Sequence, residues 1–309
     1  MRKKLEELVK NSIVIKYKLP TNFVNGTGVT EKLGMSNLSS ADKGEFCQES
    51  RDSDISKVIY NGIIEFAINE FDINYQNLDI EQRKVIKSKI RYNEYSSHEE
   101  KLKYGFYGEV LLDLLLRTYF YTNVLLARGY FYSPLENSEA KGFDAFHLME
   151  NNKNLQLWFG EAKFYQSFNN AIKSVIKKMN SSISNSYLEK HMIAIINEKS
   201  NISNSSSILD TIINDWEQNP DIILVDELTK HGVELVYPIF VAYQKSPSQS
   251  YEESIIDCVS KINNSLTQFP YSSTMSINVS IFVMVLPVEN SNQIKKEVIE
   301  WIETREPLI

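Results

Sequence analysis

The amino-acid sequence predicts an α/β chain, a mixed central sheet flanked by helices. Three observations carry that expectation. Residues 142–163 read GFDAFHL, MENNKN and LQLWFGEAK, two apolar, aromatic-rich runs around a polar cluster, which is the pattern of a β-hairpin. Leu102 to Phe120 is apolar nearly all round, as in a buried helix. From residue 102 the order reads helix, three strands, helices, strand, helix, strand, helix. Such mixing of hairpin and crossover connections builds a mixed sheet with helices on both faces.

Taken in order, residues 1–20 give a short charged helix and a strand from Ser12 ended by Pro20. From Thr21 to Asp54 the chain is rich in Gly, Ser, Asn and Thr and reads as a long irregular connection. Gly26-Thr27-Gly28 within it matches neither phosphate-loop nor dinucleotide spacing, so a plain loop is expected. Ile55–Phe71 and Ile80–Tyr92 show helical spacing. The second bears Arg83, Lys84, Lys87, Lys89 and Arg91, a face that is ordinarily solvated and can otherwise hold DNA or a partner. Asn123 to Tyr132 reads as the first core strand, and the hairpin follows. A helix over about 168–182 has Ile172, Val175, Ile176 and Met179 on one face, with Lys173, Lys177 and Lys178 largely on the other. Tyr187 to Trp216 is helical on both sides of a Ser/Asn-rich break at 200–207. Val233 to Tyr243 is a central strand, Gln249 to Phe269 a helix, Ile277 to Leu286 the last strand and Asn292 to Glu303 the last helix.

Composition narrows the function classes. With 309 residues, 42% hydrophobic and 24% charged, the chain can bury a sizeable core. No apolar run approaches the roughly 20 residues that span a bilayer, and the basic N-terminus lacks the apolar segment of a signal peptide, so a cytoplasmic protein without membrane association is expected. Cys47 and Cys258 suggest neither a disulfide framework nor a zinc site. No Walker A motif and no G-x-S-x-G elbow occurs, so motor and serine-hydrolase chemistry are unsupported. The net charge of −7 is awkward for a protein that grips nucleic acid alone, because phosphate neutralisation supplies most non-specific affinity.

The hairpin register places chemistry. A turn centred between Asn152 and Lys153 sets Asp144 directly across from Glu161, where opposed side chains share a face about 5 Å apart. Lys163, two residues on, lies on that face too. Two carboxylates that close destabilise a fold unless compensated, and Mg²⁺, which favours oxygen ligands, is the obvious compensator. Glu109 is a glutamate in a helix that is apolar nearly all round, and needs a partner. It reads either as half of a salt bridge or, as favoured here, as a ligand, direct or through water, to the metal at Asp144 and Glu161. Asp113, one turn on, reads as a surface or helix-end residue. Gln166 reads as loop polarity. The four histidines show no metal-ligand spacing, and His147 falls on the strand face opposite Asp144.

Asp144 followed by Glu161-Ala162-Lys163, with Glu109 in GFYGEVLLDLLL upstream, resembles the D…(D/E)xK signature of the PD-(D/E)xK nuclease superfamily. Phe143 stands where the motif's proline often does. The run from Tyr104 to Met179 resembles the HamA-type nuclease effectors of the Hachiman antiphage defence system. The resemblance implies a restriction-endonuclease-like core over 101–309 with a strand/helix extension over 1–100. It implies a Mg²⁺-dependent deoxyribonuclease, Mn²⁺ substituting, with the metal on Asp144, Glu161 and the Ala162 backbone carbonyl. Lys163 would orient or deprotonate the attacking water, or stabilise the transition state, and Glu109 would complete the site. The resemblance also gives Gln166 a second reading beside loop polarity, as a group that positions substrate. The implied partners are DNA and a HamB-like superfamily 2 helicase in a heterodimer. An alternative is a nuclease-fold interaction or DNA-binding subunit of a helicase complex without strong catalysis of its own.

Overall fold

A computed structural model of the chain describes residues 1–24, 30–40, 52–136, 138–139, 142–151, 154–202, 206–268 and 275–309. The Gly26-Thr27-Gly28 loop, Cys47 and the hairpin turn at Asn152–Lys153 lie outside them. The N-terminal part contains α1 (Lys3–Ser12), β1 (Ile13–Val24), β2 (Thr30–Ser40), α2 (Asp52–Ala67) and α3 (Leu78–Ser88). After the single turn α4 (His98–Lys101) come α5 (Phe106–Tyr119), β3 (Asn123–Val124), β4 (Tyr132–Ser133), β5 (Ser138–Glu139), β6 (Ala145–Asn151) and β7 (Asn154–Tyr165). The chain continues through α6 (Phe168–Ser182), α7 (Asn185–Asn197), α8 (Ser207–Gln218) and α9 (Leu224–Lys230). It ends with β8 (Glu234–Gln244), α10 (Tyr251–Gln268), β9 (Asn278–Val288) and α11 (Ser291–Thr304).

The strands form a mixed sheet in the order β1-β2-β9-β8-β7-β6-β3, while β4 and β5 pair separately. The β6–β7 and β1–β2 pairs are antiparallel, and β7–β8, β8–β9 and β2–β9 are parallel. Alternation along the strands divides the core into two layers. Leu157, Phe159, Leu235, Ile239, Val283 and Val285 pack under α6 to α10. Trp158, Ala162, Phe164, Phe240, Met284 and Leu286 pack under α1, α2, α3, α5 and α11. Residues 1–100 thus add β1 and β2 to the same sheet and helices to the same layer as α5.

The structure departs from the sequence reading in three elements. Much of the expected irregular connection is strand: β1 runs through Pro20 to Val24, and β2 follows at Thr30. Pro20 is tolerated because β1 is an edge strand with one unpaired side. The stretch read as the first core strand is only β3 plus a 3₁₀ turn over Arg128–Phe131. The seven-residue α9 has no counterpart in the sequence reading, being too short to show a helical period.

One irregularity sits beside the hairpin. Pro238 lies in central β8, where a residue without an N–H breaks a ladder. The β7–β8 pairing accordingly passes from Trp158–Val236 to Glu161–Ile239 and skips Phe159 and Gly160. A Cβ on Gly160 would lie 2.6 Å from both Pro238 Cγ and Pro238 O, so only glycine fits there.

Candidate active site

The register predicted for the hairpin is the one the chain adopts. Asn151 pairs with Asn154 and Ala145 with Gly160, which puts Asp144 and Glu161 next in line. There the ladder ends and Asp144 replaces it with its side chain. Its N–H donates to Gly160 O (2.7 Å), and its Oδ2 accepts the Ala162 N–H (2.8 Å). Phe143, fully buried, anchors this corner, with ring centroids 5.4 Å from Phe159 and 5.1 Å from Tyr187. The rigid aromatic packing of one residue therefore aims the carboxylate of the next.

Glu161 is 0% and Asp144 7% exposed. Two ammonium groups compensate them. Lys163 Nζ donates to Glu161 Oε1 and to Ala162 O (3.0 Å). Lys178 Nζ, from α6, pairs with Glu161 Oε2 and lies 3.7 Å from Asp144 Oδ1. Burial and the neighbouring Asp144 push Glu161 up to about 7 against the pull of both lysines. Burial alone would lower Lys178, but Asp144 and Glu161 hold it above the ordinary lysine value.

Lys178 is the residue the sequence reading missed, having been placed on the polar face with Lys173 and Lys177. Seven residues separate it from fully buried Ala171, and seven residues are nearly two whole turns. Its Cβ therefore leaves the helix on the face turned to the sheet, and that spacing was the available signal.

Glu109 is buried in the first turn of α5. With Asp144, Ala162, Lys163 and Gln166 it lines a cleft of about 760 Å³ between α5, the end of β7, and the starts of α6 and α11. Taking one oxygen from each, Glu109, Asp144 and Glu161 do not all come within 4.8 Å of one another. Ser167, Asn170, Lys103 and Lys295 also line this cleft. Lys295 donates to Leu102 O (3.1 Å) and Phe164 O (3.0 Å), and burial lowers it to about 8.

Asp113 is not the surface residue expected. It is 4% exposed, paired with Arg117 (2.8 Å) and with His147 Nε2 (2.8 Å). Burial would raise it, but Arg117 and His147 outweigh burial and hold it low. His147 lies opposite Asp144, as parity required, and its Nδ1 meets Thr122 Oγ1 (2.8 Å). This network ties α5 to β6 on the far side of the sheet. Against the expectation of no histidine with metal-ligand spacing, Asp215, Glu227 and His231 bring ligand atoms within 4.8 Å. All three are half-exposed, and Glu227 already takes Lys230 at 2.9 Å.

Asp144 and Glu161 bring two carboxylates together beside the Ala162 carbonyl, with a third carboxylate, Glu109, on the cleft wall. Oxygen donors of that kind suit a small divalent cation such as Mg²⁺, and two ammonium groups already compensate the pair. Among the described residues no helix is long and apolar enough to cross a membrane. No curated protein and no solved structure matches the chain. The sequence model of the HamA family matches residues 26–302, nearly the whole chain, with the hairpin, the cleft and the α6 lysine all inside the match. The chain belongs to the HamA family, the Hachiman antiphage defence proteins.

Proposed function

We propose that this chain is the nuclease effector of its defence system, a Mg²⁺-dependent deoxyribonuclease of PD-(D/E)xK type, held in check and released by a helicase partner. One observation carries the reading: Asp144 and Glu161 converge across the end of a hairpin, Asp144 takes the Ala162 N–H, and Lys163 on the same strand reaches both Glu161 and the Ala162 carbonyl. Asp144, Glu161 and Ala162 O would hold the cation, and Glu109, set back on the cleft wall, suits a contact through water. Bound there, a divalent cation lowers the pKa of water and neutralises charge at a phosphate.

The chain's own groups do the rest. Lys163 is the cation of the motif that borders the open cleft, placed to orient the attacking water or to stabilise charge developing on the scissile phosphate. Its contact with Ala162 O and Glu161 fixes the ammonium at the acid pair before substrate arrives, so little reorganisation is needed. Gln166, Ser167 and Asn170 offer hydrogen-bond donors at the cleft rim, where phosphates on either side of the scissile bond would pass. Glu161, fully buried, is kept from bulk water, which strengthens its interactions with any cation.

The test is cleavage of supercoiled plasmid by the purified protein, alone and with its partner, in Mg²⁺, Mn²⁺ and EDTA. Cleavage by the pair that needs the metal and disappears in Glu161→Ala and Asp144→Ala is the expected result. Degradation at the wild-type rate by either variant, or in EDTA, overturns the site.

A further inference from the structure

Resting on the metal-site reading just given, we propose that Lys178 is a built-in counter-cation that a divalent ion displaces from Asp144 and Glu161. Each oxygen of Glu161 carries its own ammonium, Lys163 on Oε1 and Lys178 on Oε2, and Lys178 also reaches toward Asp144 Oδ1 at 3.7 Å. Two carboxylates and two ammonium groups form a neutral cluster around a fully buried side chain. A divalent ion added to that cluster would leave two uncompensated positive charges in a low-dielectric corner, which is strongly unfavourable. One ammonium must therefore give way.

Tether and exposure decide which. Lys163 sits on β7 between β6 and β8, is 16% exposed and also donates to Ala162 O. Lys178 hangs from helix α6, and its side chain is 30% exposed, so its flexible stem has a route to water. Its two carboxylate partners are the two side chains proposed to take the metal. The displaced ammonium moves toward solvent, and the acid pair exchanges one compensating cation for another. Lys178 thus keeps the carboxylates from repelling one another before metal arrives and sets how much metal is needed. It is a positioning residue, acting through the acid pair.

The test uses the full chain without DNA. Thermal melting of wild type, Lys178→Met and Lys178→Arg is followed in EDTA and across Mg²⁺ and Mn²⁺ titrations. In EDTA, Lys178→Met is expected to melt several degrees below wild type. Its metal-dependent rise in Tm should set in at about tenfold lower cation concentration, because removing a competitor tightens metal binding and stabilisation grows with the logarithm of cation concentration over Kd. Lys178→Arg, which keeps the charge, should keep the wild-type onset. If Lys178→Met melts low and its onset is unchanged while wild type responds to metal, Lys178 is only a structural ion pair and the proposal fails alone. If neither protein responds to either cation, the metal site and the proposal fall together. Should Lys178→Met prove too unstable to purify, Lys178→Gln is read in the same titration.

Discussion

At the scale of single residues, the site is a balance between burial and ion pairing at Glu161. Burial and Asp144 raise its carboxyl to about 7, so in the metal-free fold it is ionised above that value and takes up a proton below it. A carboxyl raised in the fold contributes stability below its ordinary value near 4.5, and that contribution is lost as pH climbs to about 7. Glu161→Gln mimics the protonated state. In EDTA it is expected to melt above wild type at pH 8, with the difference shrinking toward pH 4.5. A wild type that melts higher than the variant at pH 8 would mean that Lys163 and Lys178 outweigh burial. Glu109→Gln tests the cleft wall, keeping size while removing charge. It should fold normally and cleave DNA more slowly than wild type but faster than Glu161→Ala. An unfolded Glu109→Gln would instead give Glu109 a purely structural role.

At the scale of elements, the hairpin and the helix behind it hold the chemistry, and glycine is what lets the hairpin seat. Gly160→Ala would set a methyl 2.6 Å from a backbone oxygen and a proline ring, so strand or ring must move, a strain of about 1–3 kcal/mol. We expect a lowered Tm together with loss of cleavage, because Glu161 is the next residue. Gly108→Ala in α5 is the control. Its nearest contact is 3.4 Å, and alanine favours helix, so its Tm should match or exceed wild type. Much of this architecture was legible in the sequence. The hairpin register followed from the position of its polar turn, α6 from its apolar spacing, and β8 and β9 from continuous apolar and β-branched runs. What stayed hidden was non-local. Thr30–Ser40 carries only Leu33, Met35 and Leu38 as large apolar residues and no sustained alternation, so β2 is strand through its pairing with β1 and β9. Asp113 looked exposed because its pair with Arg117, four residues on in α5, is one a surface helix also makes, whereas its second partner, His147, is joined to it only when β6 packs on α5. Of the lysine compensation at Asp144 and Glu161, the register already placed Lys163 on their face, whereas Lys178 reaches them only because α6 packs back against the sheet.

At the scale of the whole molecule, charge argues that the chain does not work alone. Its net charge of −7 gives weak long-range attraction for a polyanion. Local cations exist, with Lys103, Lys163 and Lys295 in the cleft and Arg83, Lys84 and Lys87 on α3, but the cleft also holds Glu99, Glu109 and Asp144. Phosphate contacts dominate affinity for DNA and weaken steeply with salt. A surface of this balance should release DNA at physiological ionic strength. The sequence carries no Walker A motif, so any ATP-driven tracking on DNA would have to come from another chain. A nuclease that could grip and cut DNA unaided would also endanger its own cell. We therefore expect a heterodimer in which a helicase supplies DNA affinity and licenses cleavage. Each gene and the pair are to be expressed in phage-challenged cells, and DNA binding by the isolated chain measured across a salt series. Protection should require both genes and vanish with Glu161→Ala or Lys163→Ala, while the chain alone binds DNA only at low salt. Full protection by this chain alone, or tight binding at physiological salt, would place both affinity and restraint within these 309 residues and remove the need for a partner.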